Sequence, residues 1–264
     1  MDCSERFRLE RIANAPQSPA WYFIAGDVIH KSTEAADLDD VNDPMVGKEI
    51  FRLLWADALE QVEDVHAVRT GGRATREFPG RENHLFWEAK GPQMVADWIT
   101  YRKNMFNAGW SWYEVDGSPA IEVPVEFTFA EGTESEVQVK GYIDRVLRDR
   151  YDNPVVLDLK SGSRTPDSTL QLGVYALGLE QRVGVRPNLG TYYMTRTAYD
   201  SGWASLMHYT PTVVGDWFAS VKRGIENDVF VPHVTSFCNS CAVSKYCAAV
   251  GGDPTLLLAE AAAA

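Results

Sequence analysis

Near residue 120 the spacing of apolar side chains changes from a period of about 3.6 to a period of two, which separates a helical layer from a sheet. Upstream, "DPMVGKEIFRLLWADALEQV" has an Asp43-Pro44 start signal and places Met45, Ile50, Leu53, Leu54 and Ala58 at helical spacing. "WYFIAGDVIHKSTEAAD" reads as a short apolar segment and then a helix from about Gly26, and Pro92 reads as the opening of a helix that buries Val95, Trp98 and Ile99. Downstream, Ile121, Val123, Val125, Phe127 and Phe129 alternate in "IEVPVEFTF". "EVQVKGYIDRVLRDR" follows a turn at Gly132, and "YDNP" turns the chain into "VVLDLK". Three strands joined by such short links predict an antiparallel meander. A helix stopping near Gly184 comes next, with Leu170, Val174 and Leu177 on one face. The strand "GTYYMTRTA" follows, and then a helix from Thr210-Pro211 expected to bury Val214, Trp217, Phe218, Val221 and Ile225. The order is helices, three strands, helix, strand, helix: an α/β (α+β) chain.

The 264 residues, 45% of them hydrophobic, suffice for one sizeable core, so residues 1–264 read as a single domain with a helical insertion over 35–115. The tail "LLLAEAAAA" reads as a frayed helix end. No apolar stretch reaches the roughly 20 residues of a membrane helix, and the first residues are charged, so the expected location is cytoplasmic, with no membrane partner. A net charge of -12 disfavours anionic partners in general. The charge is uneven. Ten acids lie between Glu34 and Asp64, whereas "RTGGRATREFPGR" (69–81) carries four arginines against one glutamate, and Arg145, Arg148, Arg150, Lys160 and Arg164 surround the third strand. A basic track on an acidic protein is thereby allowed.

The stretch "VVLDLKSG" (155–162) holds the chemistry. Asp158 and Lys160, two apart on a strand, point to the same face. Asp144 in "GYIDRV" sits one strand back at hairpin distance and can lie opposite Asp158. Two converging carboxylates bind a hard divalent cation such as Mg²⁺ or Mn²⁺, and a lysine beside them suits charge developing on a phosphoryl group. Gln171 and Tyr175, one helical turn apart, share a face. Glu126, on the preceding strand, is a further candidate to face the site or is the polar half of an alternating strand.

"GYIDRV", "VVLDLKSG" and "QLGVY" resemble the motifs of RecB-type nucleases in the PD-(D/E)xK superfamily. The resemblance implies a restriction-endonuclease-like core, a mixed central sheet flanked by helices, in the order read above, and a metal-ligand histidine on an early helix, preceded by a glycine. "GDVIHKSTE" supplies Gly26 and His30, with Glu34 one turn on. By this likeness His30, Asp144, Asp158 and the backbone carbonyl of Leu159 hold the metal, Lys160 is the catalytic lysine, and Gln171 and Tyr175 position DNA or the site. The activity implied is a deoxyribonuclease, most readily an exonuclease on single-stranded DNA or DNA ends, in repair, recombination or end processing. No phosphate loop of the G-x-x-x-x-G-K-[ST] type is present, so any motor is a separate helicase or recombination partner. The rival readings are a non-catalytic DNA-end-binding iron-sulfur protein and a redox protein, the second of which has no use for the D-x-K strand.

Cys238, Cys241 and Cys247 form a C-x2-C-x5-C run, and three thiolates so close converge on one metal or cluster that needs a fourth ligand. From spacing alone this is a zinc site closed by His233 or water. The same resemblance extends to nucleases such as the AddB domain and the CRISPR-associated RecB-like exonucleases, and implies a 4Fe-4S cluster. It would be held by these three cysteines in the segment 230–250 and by Cys3, in place of Zn²⁺.

Overall fold

The computed structural model describes residues 3–257; the end of the alanine-rich tail, 258–264, lies outside the described residues. A short helix α1 (Ser4–Phe7) runs into one π turn (Arg8–Ile12). The helices α2 (Trp21–Leu38), α3 (Pro44–Glu60) and α4 (His84–Asn107) form one layer. The sheet strands then follow: β1 (Ser111–Trp112), a small hairpin of β2 (Glu114–Val115) and β3 (Ser118–Pro119), then β4 (Ile121–Phe129), β5 (Val137–Arg148) and β6 (Pro154–Lys160). After α5 (Leu170–Val183) come β7 (Leu189–Met194), β8 (Tyr199–Asp200), β9 (Ala204–Ser205) and α6 (Pro211–Glu226), and three 3-10 turns carry the chain to residue 250.

β4, β5 and β6 are the predicted antiparallel meander, while β7 pairs with β6 in parallel because α5 carries the chain back across the sheet. The result is a curled mixed sheet flanked by helices, the restriction-endonuclease-like architecture. β6 is buried on both faces. Val156 meets Leu172, Ala176 and Leu177 of α5 in one apolar core, and Leu157 and Leu159 meet α2, α3 and α4 in the other. No described helix is long and apolar enough to cross a membrane.

Four local expectations are corrected. α2 starts at Trp21 rather than near Gly26, because Trp21, Ala25, Val28 and Ile29 continue the buried stripe back to the first turn. Pro92 does not open α4 but lies inside it. Asn83 caps Phe86 N at 3.2 Å, and the stripe Trp87, Gly91, Val95, Trp98 runs straight through the proline. The missing amide leaves only the carbonyl of Glu88, an exposed residue, without its helical donor. On α3 the buried stripe is Gly47, Phe51 and Trp55, so Met45 and Leu53 face solvent. Close approach decides this: a Cβ on Gly91 would sit 2.0 Å from Phe51 Cζ, and one on Gly47 2.3 Å from Ile99 Cδ1. Finally, α6 rests on β4 by a narrow edge. Val214 and Ala219 are buried and Phe218 stacks on Phe129 at 5.8 Å, but Trp217, Val221 and Ile225 stay largely exposed.

Candidate active site

The sheet opens where three carboxylates line up. In the β4–β5 ladder the pairs Ile121 with Arg145 and Val123 with Ile143 bracket Glu122 and Asp144, which face each other unbridged. The β5–β6 ladder ends at Arg145 with Leu157, so Asp144 and Asp158 are the next opposed positions. Beyond that point β6 stays with β7 as far as Lys160, and the Leu159 amide donates to Asp144 Oδ2 at 2.8 Å instead of to a strand partner. Glu122 has φ +48°, a left-handed conformation that costs a non-glycine residue about 1–3 kcal/mol. The register is continuous on both sides of it, so the strain twists a side chain without inserting a residue.

α2 brings His30 to this row. A Cβ on Gly26 would lie 2.8 Å from Ser161 Oγ, so the glycine lets the helix pass close to the end of β6 and sets the imidazole one turn later beside Asp144. His30 Nδ1 is 3.6 Å from Asp144 Oδ2. One ligand atom from each of His30, Glu122 and Asp144 can be chosen with all three within 4.8 Å of one another. Burial, and then the nearby cations Arg145 and Lys160, lower the His30 pKa against the opposing pull of Asp144 and a backbone hydrogen bond with Leu159. A neutral imidazole offers a lone pair.

On the opposite side of the cleft, Asp158 is 1% exposed, and among the described residues its Oδ1 has no partner. Lys160 Nζ stands 2.7 Å from Asp158 Oδ2 as an ion pair, and the same ammonium donates to Gln171 Oε1 at 2.9 Å. Gln171 Nε2 in turn donates to Tyr175 Oη at 2.7 Å. Desolvation, then the charge of Asp144, raises the Asp158 pKa to about 7 despite Lys160. Glu122 is raised for the same two reasons. A cation placed among these groups relieves the repulsion that now favours a proton.

Of the residues read from the sequence, His30, Asp144, Asp158, Leu159, Lys160, Gln171 and Tyr175 are thus brought around one cleft. Glu126 is not: it faces solvent, bound to Lys140 Nζ at 2.9 Å and Gln138 Nε2 at 2.7 Å. The strand acid at the cleft is Glu122, on the same pleat four positions earlier. Sequence reading also missed the support behind it. Asp37, fully buried on α2, accepts from Arg102 Nη1 at 2.6 Å, Arg145 Nε at 2.6 Å and Trp98 Nε1 at 2.9 Å, and Arg145 Nη1 donates to Glu122 Oε1 at 2.9 Å. The available signal was an acid one turn after Thr33 on the buried stripe of α2.

The chain ends meet away from the cleft. Cys3 Sγ accepts from the His233 amide at 3.4 Å, and Cys238 Sγ accepts from the Thr235 amide at 3.5 Å. Cys241 and Cys247 pack against Leu9, Ala15, Val243 and Tyr246, and all four cysteines are free of disulfides. Among the described residues, no three cysteine sulfurs lie within 4.8 Å of one another.

A family model of the PD-(D/E)XK nuclease superfamily matches residues 1–248, a span that contains every residue of the cleft and all four cysteines. No curated protein matches the chain.

Proposed function

The chain belongs to the PD-(D/E)XK nuclease superfamily, and on that premise we propose that it is a metal-dependent deoxyribonuclease acting on single-stranded DNA from a free end. The observation that carries the reading is the row of Glu122, Asp144 and Asp158 at the opening of the sheet, with His30 on one side and Lys160 on the other. The donor set, carboxylates with one imidazole and the Leu159 backbone, suits Mg²⁺ or Mn²⁺, and the unpartnered Asp158 Oδ1 is what such an ion satisfies. When bound, the ion supplies Lewis acidity and lowers the pKa of a coordinated water. The chain's own groups do the rest. Lys160 is held in place by Gln171, which is held by Tyr175, and presents its ammonium where charge develops on the scissile phosphate. His30 and Asp144 hold their side of the cleft through the strand opening. The products are a 5′-phosphate and a 3′-hydroxyl.

The cysteines support a second assignment, a 4Fe-4S cluster bound by Cys3, Cys238, Cys241 and Cys247 that joins the segment 230–250 to the N-terminus. Amide donors to Cys3 and Cys238 are the contacts that stabilise thiolate ligands. The cytoplasm keeps such thiols reduced, and a nuclease without its own motor fits DNA repair or recombination beside a helicase.

Labelled linear and circular single-stranded DNA, incubated with Mn²⁺ and the wild type or Lys160→Ala, tests the activity. Degradation of the linear form by the wild type alone is expected. Equal inertness of both proteins would remove the nuclease assignment, and cleavage of the circle would replace the exonuclease with an endonuclease. Equimolar iron and acid-labile sulfide in anaerobically purified protein supports the cluster, and stoichiometric zinc overturns it.

A further inference from the structure

The arginine-rich loop is a built element rather than a slack connection. Its two ends are joined by an antiparallel bridge between Gly71 and Glu82, and Arg81 Nε donates to the Gly72 carbonyl at 3.0 Å. Gly72 has φ +61°, and a Cβ there would lie 2.4 Å from Glu82 Oε1, so the turn requires glycine. Inside the loop Thr75 and Phe78 exchange hydrogen bonds, and the single acid, Glu77, is taken up by Lys90 at 2.9 Å. Arg73 and Arg76 remain exposed, with no ion-pair partner among the described residues.

This loop is fastened to the catalytic strand. Glu82 makes a bidentate pair with Arg196 at 2.8 and 2.9 Å, and Arg196 Nε donates at 2.8 Å to the carbonyl of Ser161, the residue after Lys160. Arg196 lies over the Trp87 ring at 4.6 Å, which fixes its plane. At the loop's other end Arg69 Nη1 donates to the Ser240 carbonyl at 2.7 Å, which places the 3-10 turn Ser236–Ser240 alongside. That turn carries Phe237, 67% exposed, with Arg164 over its ring at 6.0 Å, and Arg164 is four residues past Lys160. Free cations and an exposed aromatic ring therefore border the same end of β6, on a chain whose net charge is -12.

The geometry points to a single-stranded nucleic-acid track in which Arg73 and Arg76 hold backbone phosphates and Phe237, oriented by Arg164, stacks on a base of the strand leading to Lys160. Cationic grooves with interleaved aromatic faces bind single strands in this way, and a duplex has no free base face to offer. The assignment rests on the nuclease reading above for the direction of the strand but not for its binding.

The test measures binding of labelled oligothymidylate and of a blunt duplex to the full chain by anisotropy, with Ca²⁺ present and at several salt concentrations. Alongside it, Mn²⁺-dependent hydrolysis of thymidine 5′-(p-nitrophenyl phosphate), too short to reach the loop, is followed. The double variant Arg73→Glu, Arg76→Glu is expected to bind oligothymidylate at least tenfold more weakly, with a salt slope shallower by about 1.4. Phe237→Ala is expected to lose about tenfold on the single strand and little on the duplex. Both variants should hydrolyse the ester like the wild type. Wild-type affinity and slope in the arginine variant would overturn the track, as would equal loss on both DNAs for Phe237→Ala, or parallel loss of ester hydrolysis. A wild type inert on DNA and ester alike would refute the nuclease reading, and the binding measurements would still decide the track.

Discussion

Asp37 and Asp158 are both withdrawn from solvent, at 2% and 1% exposure, yet they sit in opposite surroundings. Asp37 lies on the helical side of the sheet and is saturated by two arginines and an indole. Asp158 lies across β6 at the sheet opening, with Oδ1 unpartnered among the described residues and a single cation, Lys160, at 2.7 Å from Oδ2 and shared with Gln171. Burial alone therefore marks neither a site nor a strut. What separates them is partnering: a fully satisfied buried charge fixes the fold, and a partly satisfied one keeps capacity for something that arrives later. Arg145 links the two regions, since it spans from Asp37 to Glu122.

Removing each charge should break the symmetry in opposite senses. Asp37→Ala strands Arg102 and Arg145 in the core and is expected to cost about 3–5 kcal/mol in urea unfolding. Asp158→Asn removes a buried charge whose desolvation and repulsion from Asp144 outweigh the pull of Lys160, so in metal-free protein near pH 8 its unfolding midpoint should rise, while hydrolysis falls by at least a hundredfold, on the scale of losing one key electrostatic group. If Asp37→Ala unfolds at the wild-type midpoint, the strut is not one. If Asp158→Asn retains activity, that carboxylate is not part of the chemistry.

The same contrast has a pH signature. The Asp158 carboxyl, with its pKa raised to about 7 by burial and by Asp144, favours the protonated folded state. Its contribution to stability is complete below its ordinary value of 3.8 and is lost as pH rises through about 7. Metal-free protein should therefore carry this penalty in full at about pH 8 and roughly a third of it at about pH 5. Bound Mn²⁺ offsets it, so thermal melts should show a metal-induced rise of about 5 °C at the higher pH, for an ion at roughly a hundred times its Kd. At the lower pH, where protons compete for the same oxygens, the rise should shrink to a degree or two. An equal shift at both pH values would mean that the ion does not sit among these carboxylates.

How far these features were legible in the sequence follows from their range. The meander and the shared face of Asp158 and Lys160 depend on local period and short links, so they are readable one residue at a time, whereas the parallel pairing of β7 with β6 is set by the α5 crossover. The helix starts at Trp21 and His84 were misread because tertiary packing of tryptophans and Phe51 against Gly91 overrides local start signals. Glu122 was passed over for Glu126 because both lie on one pleat, and only the ladder opening opposite Asp144 tells them apart. Asp37 and its arginines come from positions 37, 102 and 145, whose meeting no local pattern encodes.

Glu122 offers the finest cut, because it touches both regions: its carboxylate pairs with Arg145 of the strut and belongs to the group with His30 and Asp144. Glu122→Gln keeps an oxygen for the Arg145 guanidinium and removes the charge. If the residue serves the ion, Mn²⁺ affinity by calorimetry should weaken roughly tenfold, about 1.4 kcal/mol, with the metal-free melting temperature little changed. Glu122→Gly relaxes the backbone at φ +48° and deletes the carboxylate altogether, so it should weaken the ion at least as much without the strain. Should both substitutions leave Mn²⁺ affinity intact and lower the melting temperature instead, Glu122 belongs with Asp37 as part of the frame. The left-handed backbone would then serve the arginine rather than the cation.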